Sequence, residues 1–267
     1  MKPRIAVLFS GQIRSNSLND TYNNDLLVND SVTAHFLNEE FKSKYDYDIF
    51  ISTDTIDISG AIAYFGDSHL KNIHLFEKNV YLHPISAPIP HFEALDQKFR
   101  TYDFEGKYVS GGNVMQMYRI LDVCNLMEDC ESSGCTYDLM VRCRLDTVYV
   151  KSVCPLFEEV LNSQLQALAI HDLFIIGRPP ILKHFMHSIE HKHMLYRKDV
   201  QHQFDEFVMK HSEYYTCCDF GYKFSPEVQT SECFFEYCIA NNLIIGDVLR
   251  GCGCGDYMYI YNRAVFA

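Results

Sequence analysis

The stretch from Tyr137 to Val150, YDLMVRCRLDTVYV, combines the composition of a buried strand with three charged side chains. Apolar and β-branched residues flank the run RCRLD, as is typical of a strand inside a sheet. Residues two apart on a strand project from the same face, so we expect Arg142, Arg144 and Asp146 to share one face. These groups either bind a polar ligand or form an Arg–Asp ion pair on an exposed sheet face.

Neighbouring segments place this strand in an α/β fold. A short apolar run from Arg4 to Phe9 predicts a first buried strand, and Tyr47 to Thr53 predicts a second. Between them, from about Asn23 to Lys44, apolar residues recur at helical spacing. A strand, helix, strand order implies a right-handed crossover between parallel strands. We therefore expect a mostly parallel twisted sheet with helices on both faces.

The same alternation continues towards the C-terminus. Periodicity and apolar runs predict helices over 114–127, 152–165 and 181–196, and a strand or strand pair over 167–177. The chain has 267 residues, which is long for one domain and short for two. We expect a single domain.

The charge and cysteine content of the chain indicate which kinds of binding partner and which cellular compartment to expect. The chain has 23 Lys and Arg against 35 Asp and Glu, which gives a formal net charge of −12. A nucleic acid or an anionic membrane would require a basic face, so we expect neither as a partner. No apolar run approaches the roughly 20 residues that cross a bilayer. The odd number of cysteines, 11, and the lack of a secretion signal favour free thiols and a cytoplasmic protein.

Polar residues gather where the predicted strands end. Ligands of parallel sheets bind beyond the carboxyl ends of the strands. Arginines bind phosphate oxygens bidentately and a carboxylate can hold Mg²⁺ or Mn²⁺, so this mixture predicts a nucleotide ligand. For the run SGQIR alone, a turn with a solvent-facing arginine is an equally good interpretation, because the specific phosphate-loop patterns are absent. The residues at the strand ends are Ser10, Gly11, Gln12, Arg14, Asp54, Arg142, Arg144 and Asp146.

Taken together, these motifs resemble a group of nucleotide-sugar glycosyltransferase-like proteins of bacteria and large DNA viruses. The resemblance covers roughly residues 4–177 and is strongest at Tyr137 to Asp146. It implies a GT-A-like, Rossmann-like fold, with about 1–150 as the nucleotide-binding half and about 151–267 as the acceptor-side half. It also implies transfer of a sugar from a nucleotide-diphosphate sugar to a hydroxyl acceptor such as a glycan, in the host cytoplasm if the source is viral. The matching motifs are SGQIR at 10–14, YDIFIST at 47–53, the helix with Gln116 and Arg119, and YDLMVRCRLDT at 137–147.

The resemblance also implies roles for individual residues. Asp146 is implied to bind Mn²⁺ or Mg²⁺ with the diphosphate, and Arg144 to approach the phosphates or the donor sugar. The usual DxD pattern is replaced by Arg144-Leu145-Asp146, so one carboxylate remains. Arginines are an alternative to a metal for offsetting the diphosphate charge. The other residues implied to contact the nucleotide sugar are Ser10, Gly11, Gln12, Arg14, Asp54, Gln116, Arg119 and Arg142.

Two acids in the later half are candidates for the acceptor side. Asp172 follows a short apolar strand and is expected to hold an acceptor hydroxyl, although a buried His171–Asp172 pair is the alternative. Glu232, within SPEVQTSECFFEY, is the expected general base of an inverting transfer. Its alternative role is to stabilise the start of a helix.

Other functions stay open at this point. A sugar nucleotidyltransferase shares the sheet but normally has a glycine- and lysine-rich N-terminal loop, which this chain lacks. A non-catalytic nucleotide- or carbohydrate-binding module would explain the missing second acid. Zinc is a weaker prediction, because the close cysteine pairs lack CxxC spacing and a solvated or core-edge helix face is the better interpretation of the histidines. The residues weighed for zinc are Cys217, Cys218, Cys252, Cys254, His184, His187 and His191.

Overall fold

A computed structural model of the chain describes residues 2–11, 30–53, 70–75, 103–104, 107–108, 111–170, 173–192, 241 and 257–260. The strands are β1 (Arg4–Ser10), β2 (Asp46–Thr53), β3 (Leu70–Leu75), β4 (Asp103–Phe104), β5 (Lys107–Tyr108), β6 (Leu139–Arg144), β7 (Thr147–Tyr149), β8 (Ala167–Ile170), β9 (Phe174–Gly177) and β10 (Met258–Ile260). The helices are α1 (Glu39–Lys44), α2 (Gly111–Ser132), α3 (Cys154–Asn162) and α4 (Pro179–Lys192), with a π-helical segment, Val32–Phe36, before α1.

Six strands form the central sheet in the order β3-β2-β1-β6-β9-β8. The first four in this order are parallel neighbours, whereas β9 runs antiparallel to both β6 and β8. The pairs β4–β5 and β7–β10 are small antiparallel ladders. The chain is therefore an α/β protein with a mixed, mostly parallel sheet, as the sequence predicts.

The strand order reverses beside β1. The chain moves outward from β1 through β2 and β3, and β6 then returns to the opposite side of β1. At this edge, Ser10 lies in register with Ser52 of β2 on one side and with Arg144 of β6 on the other. Ligands of open α/β sheets bind in the crevice at such a reversal, outside the carboxyl ends of the strands. The topology therefore points to the ends of β1 and β6.

One face of the sheet packs on an aromatic core. Alternate residues of the central strands, among them Val7 and Val141, belong to this core together with the π-helical segment, α1 and α3. Phe36 lies at its centre, in the offset and edge-on arrangements that aromatic rings prefer. The rings within 5.3 to 6.1 Å of Phe36, centroid to centroid, are Phe9, Phe41, Tyr149, Phe157 and Phe174.

Helices α2 and α4 cover the other face. Helix α2 ends in a Schellman motif at Gly134, whose φ of 100° favours glycine. There the Gly134 N–H donates to the Glu131 carbonyl at 2.9 Å, and the Cys135 N–H donates to the Cys130 carbonyl at 3.3 Å. The cap satisfies carbonyl groups that a helix end otherwise leaves exposed.

Helix α4 begins at Pro179-Pro180, as the sequence predicts, because the fixed φ of proline suits a first helical turn. Gly177 at the end of β9 lets the helix approach, since a Cβ there would collide with Leu182 Cδ1. No helix in the described part of the chain is long and apolar enough for a membrane span. All five cysteines of the described part are free thiols.

The structure differs from the sequence prediction at two points. The sequence predicts one helix up to Lys44, but the described part of this segment breaks at Asn38. The Asn38 side chain accepts a hydrogen bond from Phe41 N at 2.9 Å and caps α1. The strand expected to run to Val150 stops at Arg144, and a turn at Leu145 and Asp146 leads into β7. Asp146 is thus not on the strand face that carries the arginines.

Candidate functional site

A buried arginine lies against the end of β1. Arg142 and Ser10 are both 0% exposed, and Arg142 Nε donates a hydrogen bond to Ser10 Oγ at 2.9 Å. The alternate residues Val141 and Cys143 belong to the aromatic core, so Arg142 points to the face covered by α2 and α4. Removing a guanidinium from water costs several kcal/mol unless polar groups surround it. Arg142 is therefore the least expected side chain in the sheet interior.

Arg144 forms a bidentate ion pair at the end of β6. Its Nε and Nη2 donate to Asp146 Oδ1 and Oδ2, each at 2.8 Å. The two side chains are only 5% and 9% exposed. An Arg–Asp pair is one of the two arrangements expected from the sequence, but this pair is buried rather than located on an exposed face. The Arg144 N–H also donates to the Leu173 carbonyl at 3.1 Å, which joins β6 to the start of β9.

Gly11 turns the main chain beside this ion pair. Its φ of 131° belongs to the region that favours glycine, and its N–H donates to the Ser52 carbonyl at 3.1 Å. A Cβ at Gly11 would lie 3.9 Å from Leu145 N, which is an ordinary contact. Backbone conformation, rather than lack of space, therefore requires glycine where β1 meets the β6–β7 turn.

Helix α2 adds further polar groups to the same face. Asp122 is 2% exposed and accepts a hydrogen bond from Ser52 Oγ at 2.7 Å. Arg119, which is also buried, lies one helical turn earlier. Asp122 is not among the residues predicted from the sequence, because an aspartate in a helix gives no signal until a strand residue is known to contact it.

We call this set of buried groups the polar end. Among the described residues it contains three arginines and two aspartates, so the formal charge of these residues is positive in a protein whose net charge is −12. Fixed positive groups in a poorly solvated place attract an anion strongly. The polar end comprises Ser10, Ser52, Arg119, Asp122, Arg142, Arg144 and Asp146.

A different network lies near the start of β2, on the same face. Asp48 accepts hydrogen bonds from Arg4 Nη2 at 2.6 Å and from the Tyr137 hydroxyl at 2.9 Å. Burial, followed by the neighbouring Cys130 and Asp48, raises the pKa of the Tyr137 hydroxyl well above its usual range. The network is far from the carboxyl ends of the strands, so we assign it a structural role.

The residues predicted for the donor and acceptor sites divide into three groups. The structure brings together Ser10, Gly11, Arg142, Arg144 and Asp146, and it buries Arg119 on α2. Gln116 belongs to α2, but its side chain is not among the described ones. Five of the expected residues lie outside the described part of the chain, namely Gln12, Arg14, Asp54, Asp172 and Glu232.

In the β6–β7 turn, Asp146 is the carboxylate that a divalent cation would bind. Both oxygens of Asp146 accept hydrogen bonds from Arg144. Mg²⁺ and Mn²⁺ bind through oxygen ligands, and a cation at Asp146 would have to share or displace the guanidinium. The described residues therefore do not fit a cation here unaided. The metal role of Asp146 stays a prediction.

No family model matches the chain, and no curated protein matches it. Among solved structures, the crystal structure of mouse xyloside xylosyltransferase 1 in its apo form is similar to this chain, at 9% sequence identity and a TM-score of 0.42. The similarity covers 92% of this chain and 85% of that one. A likeness at this score does not by itself identify an activity.

Proposed function

We propose that the chain is a glycosyltransferase, which transfers a sugar from a nucleotide-diphosphate sugar to a hydroxyl acceptor such as a glycan. One observation carries the proposal: the positively charged polar end is buried at the reversal of strand order between β1 and β6. The resemblance of SGQIR and YDLMVRCRLDT to nucleotide-sugar glycosyltransferase-like proteins agrees with it. The cytoplasmic location and the two functional halves stay predictions.

The donor diphosphate is proposed to bind at the ends of β1 and β6. Arg144 is the last residue of β6, and Asp146 accepts from two of the five N–H donors of its guanidinium, a group that suits phosphate oxygens. Arg142 lies two residues deeper on the same strand face and adds a second positive charge. Gly11 has no side chain, which allows a phosphate to approach the main chain.

These arginines also supply the catalytic contribution that we propose. When the bond between sugar and diphosphate breaks, negative charge builds on the departing diphosphate. A cation fixed in a poorly solvated place stabilises that transition state more than the bound donor, and so accelerates transfer. Asp146 holds Arg144 in one orientation through two hydrogen bonds, so little reorganisation is needed during the reaction.

The acceptor hydroxyl must lose a proton during transfer, and Asp172 and Glu232 remain the proposed groups for this step. The contact between Arg144 N and the Leu173 carbonyl supports Asp172, because it brings the residue next to Asp172 to the end of β6.

A non-catalytic nucleotide-binding module is the second candidate. The Arg144–Asp146 ion pair favours it, because that pair engages the one carboxylate of the turn. Hydrolysis of the donor in the absence of an acceptor separates the two functions, since a binding module leaves the donor intact. Release of pyrophosphate from a nucleoside triphosphate and a sugar phosphate would instead identify a sugar nucleotidyltransferase.

The proposal is tested by thermal shift and donor turnover on the purified full chain. UDP, GDP, CMP, dTDP and their common sugars are screened with and without Mn²⁺, and a ligand of the native state raises the melting temperature. We expect one nucleotide class to bind, and Arg144→Lys to weaken it about tenfold because lysine lacks the planar fork. Arg178→Lys is the matched control, since Arg178 donates to the Val160 and Leu161 carbonyls away from the polar end. A flat response to every ligand would contradict the proposal.

A further inference from the structure

A separate cluster of metal-ligand side chains lies between α2 and α4. Cys124 and Glu128 are four residues apart on α2, so they lie one turn apart on the same face. His187 of α4 approaches them, with its Nε2 2.8 Å from Glu128 Oε2. The Cys124 sulfur, a Glu128 oxygen and a His187 ring nitrogen all lie within 4.8 Å of one another.

These three atoms have the chemistry and approximate spacing of a zinc site. Tetrahedral zinc binds sulfur at about 2.3 Å and nitrogen or oxygen at about 2.0 to 2.2 Å, which places its ligand atoms roughly 3 to 4 Å apart. Small side-chain rotations would bring the three atoms to that spacing. Thiolate and imidazole ligands favour zinc over Mg²⁺ and Mn²⁺, which prefer oxygen. Three protein ligands leave a fourth position for water.

Exposure increases from the inner ligand to the outer ones. Cys124 is 0% exposed, whereas the side chains of Glu128 and His187 are 31% and 41% exposed. An ion can therefore enter from solvent past the carboxylate and the imidazole. Burial, followed by the nearby Glu128, raises the pKa of the Cys124 thiol above its usual range. Zinc must displace that proton to bind the thiolate, and this lowers its affinity without preventing binding.

The packing of the two helices does not by itself explain the cluster. One turn away, Lys183 of α4 forms an ion pair with Glu131 of α2 at 2.7 Å, and this contact already joins the helices. The hydrogen bond between Glu128 and His187 also does not require a buried cysteine beside it, so it does not explain Cys124.

We propose that Cys124, Glu128 and His187 bind one zinc ion, which links α2 to α4. This site is distinct from the polar end, and its occupancy does not depend on the proposed glycosyl transfer. Cys124 lies two residues after Asp122, so zinc would also stabilise the part of α2 that contributes to the polar end. His187 is one of the histidines weighed for zinc from the sequence, but its partners here come from a different helix.

Cobalt and zinc titrations of the chelator-stripped full chain test the site. Co²⁺ is the spectroscopic probe, because binding through a thiolate produces a sulfur-to-cobalt charge-transfer band. We expect one ion per chain, and Cys124→Ser to remove that band and weaken zinc binding about tenfold or more. His187→Ala should weaken zinc similarly, and the same zinc concentration should raise the melting temperature of the wild type more than that of these variants.

Two further variants keep the test decisive. His184→Ala is the matched control, because His184 is exposed on the same helix three residues before His187. It should leave the band and the affinity unchanged. Glu128→Gln keeps the size of the side chain, so the variant is expected to fold. It should weaken zinc binding while retaining the charge-transfer band. A band that persists in Cys124→Ser, or zinc binding that falls equally in His184→Ala, would overturn the proposal.

Discussion

The two faces of the central sheet differ in the polar groups that they bury, although both bury apolar side chains, including Leu8 and Met140 on the face of Arg142. On one face, Phe36 contacts five other aromatic rings, and the surrounding core cluster consists of hydrophobic residues. On the other face, Arg142 is as deeply buried as Phe36 but bonds to a serine, and the polar end continues from it. Buried rings stabilise a fold, whereas buried charges rarely do so on balance. We therefore expect the aromatic face to contribute more to stability, and the polar end on the other face to bind the proposed ligand.

The largest expected effect is on the aromatic face. Phe36→Ala removes a ring that lies at the centre of five others and leaves a cavity, so the free energy of unfolding should fall by about 3 to 5 kcal/mol. Urea denaturation of purified protein measures it. Phe36→Leu fills most of the cavity and should cost clearly less. A loss below about 1 kcal/mol for Phe36→Ala would show that the aromatic core does not carry the stability.

The next largest effect concerns the stability contributed by the ion pair between Arg144 and Asp146 at the polar end. Asp146→Ala leaves the Arg144 charge buried without its bidentate partner, so unfolding should become easier by about 3 kcal/mol. Replacing both residues, as Arg144→Met with Asp146→Leu, removes the charge as well and should restore most of that stability. Chemical denaturation of the single and double variants checks this. If the double variant is as unstable as Asp146→Ala, the pair is needed for folding and the contrast between the faces fails.

A smaller effect on stability is expected from Ser10, which accepts a hydrogen bond from Arg142. Ser10→Ala removes the hydroxyl that accepts the hydrogen bond from Arg142 Nε, and a hydrogen bond to a charged group contributes about 1.5 to 3 kcal/mol. Thermal and urea unfolding should show a loss of about 2 kcal/mol. Ser43→Ala is a control, since the Ser43 hydroxyl donates to the Glu40 carbonyl on an exposed helix surface. Equal losses in both variants would argue against a special role for Arg142.

The smallest effect concerns alkaline pH and the aromatic face. Burial, followed by the nearby Cys154 and Glu158, raises the pKa of Tyr45 to about 12 from 10. Because the unfolded chain loses this proton first, Tyr45 stabilises the fold fully below pH 10, and its contribution falls as pH rises towards 12. Unfolding measured near pH 11 should show a loss of about 1 kcal/mol from this group, and Tyr45→Phe should flatten the slope. An unchanged slope in Tyr45→Phe would contradict the assignment.

Local pattern was enough to predict much of the fold. The apolar runs at β1 and β2 stand out because buried parallel strands are continuously hydrophobic. Pro179-Pro180 predicts the start of α4 because proline suits a first helical turn. The alternation of Arg142 and Arg144 places both on one strand face, and the structure confirms this.

The remaining features depend on contacts between distant residues. The stretch TVYV at 147–150 has the composition of a strand, and no glycine or proline marks the turn at 145–146. The end of β6 at Arg144 could therefore not be predicted from local pattern. The role of Asp122 appears only when β2 brings Ser52 against α2. In the same way, His187 meets Glu128 and Cys124 only because α4 packs on α2.

The central claim is that the polar end binds the diphosphate of a nucleotide sugar, and calorimetric titration of the double variant tests it most directly. Wild type and the Arg144→Met, Asp146→Leu variant are titrated with the same panel of nucleoside diphosphates. We predict that the wild type binds one nucleotide per chain, and that the double variant binds it at least about tenfold more weakly while keeping most of its stability. Equal affinity in the two proteins, or no binding by either, would contradict the claim.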